Sequence, residues 1–212
     1  MTSEIQLPEG FRLYRGHLSL VAQFELLEAI SKVIASAPLY VPVMPKTGRP
    51  MSVQMTNCGS LGWVTCKDHG YRYQATHPET GTVWPAIPLE VLEIWQELCG
   101  VNSEPEACLI NWYEPGAKLG LHVDRDEQDM TTPVLSVSLG DDAYFRLGGL
   151  ARRDKTSRLL LRSGDVLVMG GASRLCHHGI DRILSGTGAL LPQPGRFNLT
   201  LRRVTPVGDS GG

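Results

Sequence analysis

Apolar residues recur at Leu20, Phe24, Leu27, Ile30 and Ile34. This spacing predicts an amphipathic helix over residues 18–36 that buries those five on one face. Pro88 opens a second helical pattern, with Val91, Leu92, Trp95 and Leu98 on one side and Gly100 as its stop. Between the two, residues 40–85 are rich in Gly, Pro, Thr and aromatics, and PETG at 78–81 predicts a turn between extended segments. After residue 105 the pattern changes to short strands: ACLINWY, TPVLSVSLG, DAYFRL, RLLLRSGDVLVMGG and RFNLTLRRV. Many short strands joined by Gly-rich turns predict a sandwich or jelly roll. Helices first and strands later, without regular alternation, argue against a doubly wound parallel fold.

Composition narrows this picture. At 212 residues the chain is expected to form a single domain, 1–212. Within it, residues 15–100 supply the helices and the intervening segment, and 105–205 supply the strand-rich core. A hydrophobic fraction of 42% and a charged fraction of 20% are those of an ordinary globular protein. A net charge of −2 argues against a protein that coats nucleic acid by bulk electrostatics, but not against one with a local basic face. MTSEIQLPEG does not read as a signal peptide, and no stretch approaches the length of a membrane span. The five cysteines include no CxxC pair, so reduced, mostly buried thiols in a cytoplasmic protein are expected. No internal repeat is present, and low complexity is confined to the tail GDSGG.

Candidate chemistry begins at His122-Val123-Asp124, with His178 much later. On a strand, residues two apart share a face, so His122 and Asp124 can reach one metal ion while a second strand supplies the third ligand. Two histidines and one carboxylate, with the remaining positions open, suit non-haem iron(II). HxD alone is common by chance, and His177 beside His178 leaves the third ligand ambiguous on a strand.

Two more strands carry polar faces. Arg196, Asn198, Thr200 and Arg202 alternate with Phe197, Leu199 and Leu201. On a central strand the polar set lies inside the barrel, and two buried guanidinium groups need anionic partners such as a dicarboxylate. An edge strand with its polar face in water would explain the same alternation. Asn111 and Tyr113 likewise share one face, opposite Ile110 and Trp112, and offer hydrogen bonds to a bound carboxylate.

The runs NWYEPGAKLGLHVDRDE (111–127), SRLCHHGI (173–180) and RFNLTLR (196–202) closely resemble the AlkB family of nucleic-acid dealkylating dioxygenases. MTNCGSLGW (55–63) and GYRY (70–73) resemble that family's nucleotide-recognition lid, here at about residues 50–85. The resemblance implies a mixed α/β, mainly β fold: a double-stranded β-helix (jelly-roll) core flanked by helices, with the lid. It implies iron(II) on His122, Asp124 and His178, with 2-oxoglutarate and O2 as co-substrates. Arg196 would bind the distal carboxylate of 2-oxoglutarate with help from Asn111 and Tyr113. Arg202 would lie near the carboxylate at the metal, and Asn198 and Thr200 would line the pocket. Trp63 would stack on the damaged base, Asp126 would approach its polar edge, and Tyr71, Tyr73 and Arg152 would contact the nucleotide and its phosphates. The expected reaction is oxidative demethylation of 1-methyladenine or 3-methylcytosine in DNA, preferably single-stranded, by a monomer. It would release formaldehyde, succinate and CO2.

Against the family pattern, Trp112 stands where Arg is frequent, the lid gains a residue around Asp68-His69, and the loop TGALLPQPG before Arg196 is lengthened. Arg146, Arg152, Arg153, Lys155, Arg158 and Arg162 form a basic segment opposed locally only by Asp154, which fits phosphate contact or a solvated loop. Competing readings are the same chemistry on RNA or on a protein side chain, a non-enzymatic nucleic-acid binder on a jelly-roll scaffold, and a cupin-like metal hydrolase. The last leaves Arg196 and Arg202 without a reason to be buried together.

Overall fold

The computed structural model describes residues 7–206, so the tail GDSGG lies outside the described residues. Twelve strands fall into three antiparallel sheets. The larger sheet runs β1 (Phe11–Tyr14), β10 (Val166–Met169), β7 (Val134–Gly140), β12 (Arg196–Arg202), β5 (Ala107–Tyr113), β2 (Gln54–Gly59). The smaller runs β6 (Leu119–His122), β11 (His178–Leu184), β8 (Asp142–Leu147), β9 (Ser157–Leu161). A hairpin of β3 (Gly62–Cys66) and β4 (Gly70–Gln74) belongs to neither. This is the jelly-roll arrangement expected from the short-strand pattern.

Alternation along the strands decides the layers. On β12, Leu199 and Leu201 pack outward onto the helices, while Arg196, Asn198, Thr200 and Arg202 are buried on the other face. On β10, Val166 and Val168 join the helix side, and Leu167 and Met169 join Phe145, Leu161 and Ile180 between the two sheets. The core is therefore two apolar layers with a polar strip of β12 set into the inner one.

The helices α1 (Leu20–Ser36) and α2 (Leu89–Cys99) cover the outer face of the larger sheet. Ser19 caps α1 by accepting from the Ala22 N–H at 3.2 Å, and Gly100 ends α2 in the left-handed conformation at φ 64°. The face of α1 agrees with the sequence expectation at Ile30, Leu27 and Ile34, which pack against the core, and differs at its first turns. Gln23, Leu26, Ile30 and Val33 are buried, whereas Leu20 and Phe24 are 62% and 50% exposed. The helix carries apolar residues on more than one side, and its rotation is set by tertiary packing: Ser163 Oγ donates to Gln23 Oε1 at 2.6 Å and draws that side inward. Strand β1 was not anticipated; four residues at a sheet edge give too short a pattern to read.

The α1 face is checked by urea unfolding. Leu26→Ala should lose about 2–5 kcal/mol, the usual cost of emptying a packed Leu site, and Phe24→Ala about 0.5 kcal/mol or less. Equal losses would return the helix to the face anticipated from its spacing.

Candidate metal and dicarboxylate site

Strand register brings the two histidines together. His178 pairs directly with His122 across β11 and β6, and their rings lie 4.4 Å apart. A side chain on Gly179 would strike the Leu119 carbonyl oxygen at 2.4 Å, so glycine permits this close approach. Asp124 follows two residues after the end of β6, and the ligand atoms of His122, Asp124 and His178 all lie within 4.8 Å of one another.

Both imidazoles are oriented alike. His122 Nδ1 lies 2.9 Å from the Gly120 carbonyl and His178 Nδ1 lies 3.1 Å from that of Cys176. Each Nδ1–H is thereby engaged, and each Nε2 faces the Asp124 carboxylate, at 3.5 and 3.6 Å. Burial pulls the pKa of His178 down to about 4, so it is neutral and able to ligate. At His122 burial acts the same way, but the Asp124 carboxylate outweighs it and leaves the pKa raised. Burial works against charge on Asp124 too, yet Arg202 and the two histidines hold it well below the usual carboxylate range. A neutral imidazole and an ionised carboxylate with aligned lone pairs fit a divalent iron ion. His177 also borders the cavity but stands outside the ligand group, with its Nδ1 3.3 Å from the Gly149 carbonyl.

The second guanidinium of β12 is held by a network. Arg202 Nη2 contacts Asp124 Oδ1 and Arg202 Nη1 contacts Glu127 Oε1, both at 2.8 Å. The Tyr73 hydroxyl donates to Glu127 Oε1 at 2.5 Å and accepts from Arg202 Nη1 at 3.1 Å. Arg174 closes the far side on Glu127 Oε2 at 3.1 Å. Neither Glu127 nor Arg174 was singled out from the sequence. Both stand in runs that carry the resemblance, but nothing in a charged residue's local pattern shows that it is buried against another.

Arg196 is fully buried and touches no carboxylate. Nη2 donates to Ser138 Oγ at 2.6 Å, Nη1 to the Asp141 carbonyl at 3.2 Å, and burial pulls its pKa down to about 10. The Nε atoms of Arg196 and Arg202 are buried without partners. Unpaired charged donors at both ends of one strand are costly unless an anion takes them, and a dicarboxylate with one group at each end fits. Tyr113 and Asn111 stand opposite Arg196 and Asn198 in register. The Asn198 amide is already engaged, donating to Ser136 Oγ at 2.7 Å and accepting from the Thr200 hydroxyl at 3.1 Å. Trp112 faces away, its ring 4.6 Å from Phe197.

A cavity of about 590 Å³ is lined by Asn111, Tyr113, Asn198, Thr200 and Arg202 but not by Arg196, and is also bordered by Trp63, Tyr71, Asp126 and Arg152. The Trp63 and Tyr71 rings stack at 5.4 Å and 18°, and Trp63 Nε1 donates to Asp126 Oδ2 at 2.8 Å. Tyr71 stands at the mouth, half exposed, whereas Tyr73 points its hydroxyl inward to the arginine network. The buried Asn57 clasps Trp63 by its main chain: Nδ2 donates to the Trp63 carbonyl and Oδ1 accepts from its N–H, both at 3.0 Å. The basic segment is smaller than its sequence implies. Arg158 pairs with Asp181 at 2.7 Å and Arg162 lies 3.9 Å from Asp142, both acids outside the segment, leaving Arg152, Arg153 and Lys155 at the surface. All five cysteines are unpaired thiols, and four of them are buried. No helix among the described residues is long and apolar enough to cross a membrane.

Residues 10–202 match the 2OG-Fe(II) oxygenase superfamily. The chain is 50% identical over 195 residues to the alpha-ketoglutarate-dependent dioxygenase AlkB homolog of Caulobacter vibrioides, covering 92% of this chain and 88% of that one. It is 45% identical over 184 residues to alpha-ketoglutarate-dependent dioxygenase AlkB of Escherichia coli, covering 85% and 84%. The solved structure of OsALKBH1 superposes with a TM-score of 0.80 at 32% identity, over 94% of this chain and 99% of that one. The chain belongs to the 2OG-Fe(II) oxygenase superfamily and, within it, to the AlkB dioxygenases. It is an Fe(II)- and 2-oxoglutarate-dependent enzyme that consumes O2.

The clasp on Trp63 is testable by hydrogen exchange. Asn57→Ala should speed exchange across β3 and β4 while leaving β5 and β12 as slow as in the parent protein. Unchanged hairpin exchange would mean that other contacts suffice to hold it.

Proposed function

We propose that the protein removes alkyl groups from nucleic-acid bases, with methylated DNA as substrate. The observation that carries this is the stacked Trp63–Tyr71 pair opening into the same cavity as His122, Asp124 and His178. A flat aromatic platform suits a base ring rather than a peptide side chain. In this reading His122, Asp124 and His178 hold iron, Arg196 binds the distal carboxylate of 2-oxoglutarate with Asn111 and Tyr113, and Arg202 stands beside the metal-bound end. Asn198 and Thr200 line the pocket between them, and the whole chain works as one domain and as a monomer.

Bound iron(II) and 2-oxoglutarate supply the oxidation of the N-alkyl carbon. The chain's own residues do the positioning. Arg196 and Arg202 fix the two ends of the co-substrate, and Trp63 stacks on the base. Arg152, whose Nη1 donates to the Leu121 carbonyl at 3.2 Å, borders the cavity where a phosphate would pass, and Arg153 and Lys155 are exposed close by in sequence. A hydroxylated N-methyl group then leaves as formaldehyde. A base inside a duplex cannot reach the cavity, so a single-stranded or flipped base is the substrate, and 1-methyladenine or 3-methylcytosine, unable to pair, costs least to extract.

Both lesions are cationic, which gives the Asp126 carboxylate a role at the base edge. It is held in place by Trp63 Nε1. Asp126→Ala should therefore slow repair of cationic lesions more than of neutral ones; equal slowing of both would remove Asp126 from recognition.

The function itself is tested by mass. The protein is mixed anaerobically with iron(II), 2-oxoglutarate and a single-stranded oligonucleotide carrying one 1-methyladenine or 3-methylcytosine, and oxygen is then admitted. The oligonucleotide should lose one methylene unit, and Asp124→Ala should abolish the loss. Succinate without a mass change would refute the substrate and point to RNA.

A further inference from the structure

The segment from Val123 to Pro133 carries Asp124 and the network carboxylate Glu127, yet it has no regular secondary structure. The Gln128 and Asp129 N–H groups tie its middle to the Val204 carbonyl at 2.8 and 3.1 Å, and one side chain reaches across it. Arg174 donates from Nη1 to the Asp124 carbonyl at 2.7 Å, from Nε to the Thr132 carbonyl at 3.1 Å, and from Nη2 to Glu127 Oε2 at 3.1 Å. Arg174 is 3% exposed and the Glu127 side chain is fully buried. Three donors of one planar fork thus reach both ends and the middle of the same loop. Arg174 itself follows the short 3-10 turn Gly171–Ser173, four residues before His178.

We propose that Arg174 is a positioning residue for the metal centre. Its guanidinium fixes the main chain at Asp124 relative to the segment that leads into His178, so that the carboxylate and imidazole ligands are set before metal arrives. This rests on the reading of His122, Asp124 and His178 as the metal ligands. The physical reason is entropic. A carboxylate on an irregular loop must be ordered when it binds, at an entropic cost for each residue fixed, and a prearranged loop has already met that cost in folding. A lysine cannot replace the fork, because an ammonium is a single point that does not span two carbonyls and a carboxylate.

The test is calorimetric titration of the metal-stripped full-length chain with Mn(II), whose readout does not depend on turnover. Arg174→Lys, shown folded by circular dichroism at the temperature used, should raise the Mn(II) Kd by about 10- to 100-fold, the range seen when groups behind metal ligands are removed. Wild-type affinity in Arg174→Lys, with binding lost in Asp124→Ala, would overturn the inference and leave the ligand assignment standing. Mn(II) binding that survives Asp124→Ala would bring down the ligand assignment and this inference with it. Hydrogen exchange on the wild type needs no variant. Residues 124–132 should exchange slowly before Mn(II) is added, and free-chain rates that slow only with metal would overturn the inference.

Discussion

Two guanidinium groups on the inner face of a single strand set the terms for everything around them. Arg196 and Arg202 are both buried between the sheets, one at each end of β12. A charge in that position must meet an opposite charge or the fold loses more than it gains. At the Arg202 end the protein supplies the opposite charge itself, through Asp124 and Glu127. At the Arg196 end it supplies only a serine hydroxyl and a main-chain carbonyl. The asymmetry is chemically meaningful. One end is neutralised by carboxylates of the chain, and the other meets none of them.

The same asymmetry explains how the charges around the site are balanced. Asp124, Glu127, Arg174 and Arg202 form two acids and two bases with almost no access to water. Each guanidinium touches more than one acceptor, so no single contact decides the pairing. Tyr73 enters from the hairpin and joins the network by its hydroxyl, which ties the covering segment to the charged floor.

Much of this was legible in the sequence because strand alternation is a strong local signal. RFNLTLR and ACLINWY declared both their faces, and the structure buries both faces of each strand, leaving only Phe197 and Asn111 half-buried. The histidine pair was less legible. Strand alternation left the choice between His177 and His178 open, the family resemblance pointed to His178, and the β6–β11 register brings His178 beside His122 and Asp124. The face of α1 was misread at its first turns because a helix apolar on several sides does not state its own rotation. Arg174 and Glu127 were invisible for a related reason: a charged residue in an irregular segment looks like a solvent-exposed one until its partners arrive from distant parts of the chain. The basic run 146–162 fails in the opposite sense, since the acids that pair two of its members, Asp142 and Asp181, lie beyond it.

The β3–β4 hairpin shares no strand ladder with either sheet. It is fastened by side chains: the Asn57 amide, the Tyr73 hydroxyl, the Thr65 hydroxyl on the Val43 carbonyl, and the Trp84 indole on the Gln74 carbonyl. A ladder would bind its register to the barrel, so that any insertion would shift the oxidising machinery. Fastened as it is, the hairpin can lengthen at the turn Lys67–His69 or exchange its aromatic residues while the barrel stays as it is. In evolutionary terms the hairpin is separated from the barrel, and variation in the first need not be tolerated by the second.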